Sequence, residues 1–228
     1  PNAEGTAHGD LCQTQRTMAS EHEDRLQRFA GELKEAGFDA FLACTPVTMG
    51  YLHGFFEGAG ERFMTLAIRD TGEIRMICPA LSATQAAKAG IQNLAPWRDG
   101  EDPMDLFRQL ADDWALRSAV IAVDDEMPAK MLLDIEAVLP AALYRPGGEV
   151  LARLMRSKDS EGLEAMREAG RIVDEAFPAA VAALRPGVTE TDVQRALTEE
   201  IRRSGGEPTF CIVATGPNSA EPHHLTDS

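Results

Sequence analysis

Thr209 to Ser228, TFCIVATGPNSAEPHHLTDS, is the one stretch of the sequence where chemistry-capable side chains gather behind a predicted strand. Thr209, Phe210, Ile212 and Val213 form a short β-rich apolar run, which Gly216, Pro217 and Asn218 end with turn residues. Pro222 then fixes the backbone ahead of His223 and His224. Imidazole has the unperturbed pKa nearest neutrality, so a histidine on a stiff loop at a strand end can donate or accept a reaction's proton. The plain alternative is a pair of solvated loop residues. Cys211, on the predicted strand with no basic neighbour to activate it, reads as core rather than nucleophile. Glu161, Glu164, Arg167 and Glu168 read as a solvated helix face.

Composition narrows the classes. With 228 residues, 44% of them hydrophobic, the chain can build one large or two small domains around a core. Its 37 acidic against 22 basic residues give a formal charge of -15, which disfavours nucleic acid and anionic membrane as partners. Cys12, Cys44, Cys78 and Cys211 are too scattered for a zinc knuckle or a disulfide framework, and reduced thiols fit a cytoplasmic protein. No apolar run approaches the ~20 residues that span a bilayer, and no secretory signal pattern opens the sequence.

The elements that must position these residues follow from periodicity. Residues 1–19 are polar and aperiodic and read as a disordered leader, with Met18 as a natural start. Ser20 and Glu23 have capping-box spacing, Leu26, Phe29, Ala30 and Leu33 make one apolar helix face, and Gly37 ends the helix. Phe38 to Cys44 reads as a strand buried on both faces, and Thr45 to Gly54 as a loop or short helix. Arg62 to Arg69 and Glu73 to Cys78 flank Asp70-Thr71-Gly72 as a hairpin. Helices over Leu81 to Ala89, from Pro103 behind an Asp102 cap, and over Pro128 to Leu139 alternate with a strand at Ala119 to Val123 and an edge strand at Ala141 to Tyr144. This is an α/β pattern, a mixed sheet flanked by helices, over residues 20–148, with a boundary at Arg145-Pro146-Gly147-Gly148.

Beyond that boundary, Leu163, Met166, Gly170, Val173, Phe177, Ala180 and Leu184, spaced by threes and fours, predict one long amphipathic helix, kinked or broken at Pro178. Thr189 and Asp192 open a further helix carrying Val193, Leu197 and Ile201 inward to a stop at Gly205-Gly206. Two helices and a single strand cannot pair that strand's backbone, so residues 149–228 predict an incomplete unit.

The order LMRSKDSEGLEAMREAGRIVDEAF, LRPGVTETDV, GGEPTF and IVATGPNSAEPHH resembles the opening of the catalytic domain of the pita-bread hydrolases, which include Xaa-Pro dipeptidase (prolidase), aminopeptidase P, creatinase and methionine aminopeptidase. RLQRFAGELKEAGFDAFLACTPVTMGYLHGF is similar to the start of the N-terminal domain of the prolidase and creatinase branch. The resemblance implies a creatinase/prolidase-type domain followed by the first part of an α+β pita-bread domain. It implies hydrolysis of the bond before proline in a small peptide by two divalent metal ions (Mn, Co or Zn), with His223 handling protons or steadying the tetrahedral intermediate. The metal-binding acids and histidine of such enzymes lie downstream of the matching histidine. No metal site and no hydrolysis are therefore expected of these 228 residues. His53, in Tyr51-Leu52-His53-Gly54-Phe55, matches a region that can reach a partner subunit's active site, implying substrate recognition and a homodimer; a histidine packed beside tyrosine and phenylalanine is as readily structural. A metal-free creatinase-like amidinohydrolase and a non-enzymatic dimerisation or binding module stay open as alternatives.

Overall fold

Gly37 stops the first helix of the computed structural model, which describes residues 22–58 and 60–226. Helix α1 (22–35) buries Leu26, Phe29, Ala30 and Leu33 as the spacing predicts. Gly37, at φ 75°, lets the chain reverse so that Phe38 N–H donates to Leu33 O (2.9 Å) and Gly37 N–H to Lys34 O (3.1 Å). The proposed capping box needs Ser20, which lies outside the described residues, as do the leader, Met18 and Cys12.

The reversal delivers β1 (Ala40–Ala43), which has no exposed residue. Phe41 and Ala43 enter one core and Ala40 and Leu42 another, because successive strand side chains point to opposite faces. Phe41 meets Phe29 edge to face at 5.1 Å between ring centroids. Helix α2 (Pro46–His53) follows, then the hairpin β2 (Thr65–Arg69) and β3 (Ile74–Pro79), turning at Gly72 with φ 85°. Helix α3 (Ala80–Lys88), β4 (Leu94–Trp97), α4 (Pro103–Asp113), β5 (Val120–Val123), α5 (Ala129–Val138), β6 (Leu143–Pro146) and α6 (Gly148–Arg156) complete the first unit. The six strands lie in the order β4-β3-β2-β1-β5-β6, and only β2 runs against the rest.

Three details depart from the sequence reading. Strand β4 has no counterpart in the sequence reading; its Pro96 removes a ladder donor, a loss that an edge strand tolerates. The other edge strand, β6, runs two residues further along the chain than predicted. The compact units divide between Ser157 and Lys158, after α6 rather than before it. The reason is packing: α6 puts Val150, Leu151 and Leu154 into the first unit's core, and Gly147 passes so close to the Phe41 ring that a Cβ there would lie 2.5 Å from it.

The second unit, residues 158–228, is built on α7 (Ser160–Ala183) and α8 (Glu190–Arg203). Asp159 caps α7 by accepting Gly162 N–H at 2.9 Å, and the helix runs unbroken through Pro178. Of the apolar stripe that the spacing describes, only Ala180 belongs to the face that α7 buries. Ile172, Ala176 and Ala180 are buried, whereas Leu163, Met166, Val173, Phe177 and Leu184 are exposed, Phe177 at 63%. Within this unit α8 is the helix that packs on α7. Small residues let the helices approach closely, and the larger apolar stripe is left outside. The expected strand at Thr209 to Val213 is likewise absent: 207–215 is neither helix nor strand, because the described residues of this unit supply no second strand to pair with it.

Two residues of the first unit make its stability testable. Asp124, buried after β5, accepts with one oxygen from Cys44 N–H (3.2 Å), Thr45 N–H (3.1 Å) and Thr45 Oγ1 (3.0 Å), joining β5 to the start of α2. Asp124→Ala leaves these donors bereft and is expected to destabilise the unit by about 3 kcal/mol, with Asp124→Asn recovering part. Urea unfolding followed by the fluorescence of Trp97 and Trp114 reads this unit, since both tryptophans lie in it. His53 is buried in the last turn of α2, its Nδ1 without a hydrogen-bond partner and its ring stacked 6.0 Å from His22. Burial first, and then the charge of His22, push its pKa below the ordinary histidine value. Below an unfolded value of about 6.5 the unfolded chain takes up more protons than the folded one, so stability falls as pH drops. His53→Gln is expected to remove an acid slope of up to about 1.4 kcal/mol per pH unit in the same unfolding measurement.

Candidate active site

The loop that carries the histidine pair is held by the first residue of a helix. Thr189 caps α8 by accepting Asp192 N–H at 3.2 Å, and Asp192 returns the contact to Thr189 N–H at 3.1 Å. The backbone bond from Thr189 leads the causes that hold the Asp192 carboxyl below its ordinary range. Between them Glu190 turns inward and is only 7% exposed. A carboxylate buried at a helix N-terminus is favoured by the helix dipole, and it needs donors to replace water.

Those donors come from both ends of the loop. Glu190 Oε1 accepts from Thr215 N–H at 2.7 Å and from Asn218 Nδ2 at 3.1 Å, while Oε2 lies 2.8 Å from His224 Nε2. Between the anchors Gly216–Ala220 form a 3-10 turn, braced by Ser219 Oγ donating to Gly216 O at 2.6 Å. His224 N–H donates to Glu221 O at 3.2 Å, closing a tight turn over Pro222 and His223. Thr226 Oγ1 then accepts Val213 N–H at 2.9 Å, tying the end of the loop to its beginning.

The two histidines therefore have opposite environments. His224 is buried as the anchor, and His223, the residue singled out from the sequence, is exposed beside it. This geometry presents one imidazole on a loop whose neighbouring residue is fixed, an arrangement suited to proton transfer. Glu190 escaped the sequence reading because glutamate in a helix's first turn is ordinary, and nothing local says that it faces inward. Cys211 stands partly buried near this loop; burial raises its pKa, which keeps the thiol protonated, and Gln194 Nε2 donates to its carbonyl at 2.7 Å. His53 belongs to the other unit.

The two divalent metals implied by the resemblance do not fit this set. Among the described residues no three His, Cys, Asp or Glu side chains converge as ligands, and Glu190 and His224 turn their facing atoms on each other. No described helix is long and apolar enough to cross a membrane.

Comparison with known proteins follows the same division of the chain. The model of the Creatinase/Prolidase N-terminal domain matches residues 25–157, and that of Metallopeptidase family M24 matches residues 164–228. "Probable dipeptidase PepE" of Mycobacterium tuberculosis is 31% identical over 209 residues, 88% of this chain and 54% of its own length. "Xaa-Pro dipeptidase" of Lactobacillus delbrueckii subsp. lactis is 28% identical, covering 88% of this chain and 55% of that protein. Among solved structures, dipeptidase PepE from Mycobacterium ulcerans superposes with a TM-score of 0.82 at 28% identity, covering 92% of this chain and 57% of that one. The dipeptidase of Pyrococcus horikoshii gives 0.77 at 27% identity, over 89% and 56%. The chain spans about half the length of these relatives. With both domain models matched in order, the chain belongs to the creatinase/prolidase metallopeptidase superfamily, in its Xaa-Pro dipeptidase and aminopeptidase P branch, and carries the N-terminal domain with part of the catalytic domain.

Proposed function

We propose that these residues are part of a dipeptidase or aminopeptidase that cleaves the peptide bond preceding proline, with His223 as the group that handles the proton or steadies the oxyanion. The observation that carries this reading is the Glu190–His224 contact, which fixes the loop and leaves His223 exposed where the resemblance puts the reacting histidine. The relatives' names supply the substrate class. The metal ions would polarise the scissile carbonyl and activate water, held by residues outside this chain.

The exposed stripe of α7 supports the same reading. Leu163, Met166, Val173, Phe177 and Leu184 present a continuous apolar face whose exposure is costly in water. Further catalytic-domain sequence would cover it and give Thr209 to Val213 a strand to pair with. His53 contributes to substrate recognition in this proposal by shaping the end of α2, because its ring is buried. A homodimer in the cytoplasm completes the proposal, and the charge of -15 continues to argue against nucleic acid as a partner.

Two measurements test it. Expressed from the whole reading frame, the protein is expected to hydrolyse Xaa-Pro dipeptides only with a divalent metal, and His223→Ala to lower kcat by about 100-fold or more with a smaller change in KM. An unchanged kcat would remove His223 from the chemistry. In the 228-residue chain, Glu190→Gln replaces charge-assisted acceptance by a neutral amide. Exchange of the Thr215 amide hydrogen is expected to quicken by about 30-fold, a loss of about 2 kcal/mol, while the Gly206 amide at the far end of α8 keeps its rate.

A further inference from the structure

The first unit contains a cleft of about 750 Å³ that the peptidase reading leaves unused. Cys44 and Thr45 reach it from the end of β1, Glu126 and Pro128 from the end of β5, and Met104 from the first turn of α4. It thus opens at the carboxyl ends of neighbouring parallel strands, the side on which α/β sheets hold ligands, and its size is that of a small-molecule site.

Its floor and its rim differ in chemistry. Phe63, Met64, Met104 and Met131 are buried in its wall, and methionine side chains adapt to varied apolar shapes. The rim carries both signs of charge, but its cations are already engaged. Arg62 pairs with Asp99 at 2.7 Å, Arg108 with Asp105 at 2.5 Å and Lys130 with Asp134 at 2.5 Å. Among the described residues, no cation lies within ion-pairing distance of the other rim carboxylates, Glu61, Asp102 and Glu126; Asp102 is already engaged as the cap of α4, accepting Met104 N–H at 2.9 Å, which leaves Glu61 and Glu126. The Cys44 thiol at the mouth reports the same field: burial first, then the charges of Asp124 and Glu126, push its pKa to about 12. It is a neutral wall group rather than a nucleophile.

We propose that this cleft binds a small organic cation, a primary or quaternary ammonium on an aromatic or branched aliphatic body. The body lies against Phe63, Met104 and Met131, and the ammonium faces Glu126 and Glu61. A cleft with apolar walls and uncompensated acids focuses negative potential, which favours such a ligand over an anion or a neutral molecule of equal size.

The test uses the 228-residue chain, with benzyltrimethylammonium as the probe and phenylacetate as its anionic counterpart. Methyl-group NMR of Met104 and Met131 reads the cleft directly. Saturable shifts of both methyls are expected with the cation and not with phenylacetate, and the affinity should weaken as salt is added. Glu126→Gln, a change at an exposed position, should weaken binding about five-fold, and Met131→Trp should abolish it by filling the cleft. Equal binding of phenylacetate would overturn the proposal, as would undiminished affinity in Glu126→Gln or no saturation up to roughly 10 mM of the cation.

Discussion

Everything that the histidine loop does depends on one buried carboxylate. Taking Glu190 out of water costs several kcal/mol unless its oxygens find donors, and here the loop itself provides them. Thr215, Asn218 and His224 converge on Glu190, and α8 adds the positive end of its dipole. Removing any one donor would expose the remaining cost, so the contacts support one another. The consequence is geometric: a stretch without sheet pairing acquires a defined path, and His223 is left exposed beside the anchored His224.

The two units solve the packing problem to different degrees. The first surrounds its sheet with helices on both faces, and β1 lies wholly buried between two cores. The second has one helix pair and an apolar stripe exposed on its longer helix. The chain spans about half the length of its relatives, and under the proposed function further catalytic-domain sequence would cover the stripe and pair the run at Thr209 to Val213.

Local signals made most of the first unit legible. Leu26, Phe29 and Leu33 announced one face of α1, Gly37 its end, and Asp102 with Pro103 the start of α4, because caps and periodicity act within a few residues. Strand β4 was not legible; it contains Pro96, whose meaning depends on whether the strand is central or at an edge. The α7 stripe was legible as an apolar helix face, but its exposure was not, since periodicity identifies a face without naming what covers it. The candidate site was half legible. Histidines behind a proline can be seen in sequence, whereas the inward turn of Glu190 depends on residues 25 to 34 positions away.

The central claim is that these residues form the front part of a metal-dependent Xaa-Pro peptidase. Sequencing the gene beyond the codon for Ser228 tests it most directly. A frame that continues with two aspartates, a histidine and two glutamates in the order of the family's metal ligands is the predicted result. A frame that continues with those acids replaced, or one that stops at Ser228, would contradict it.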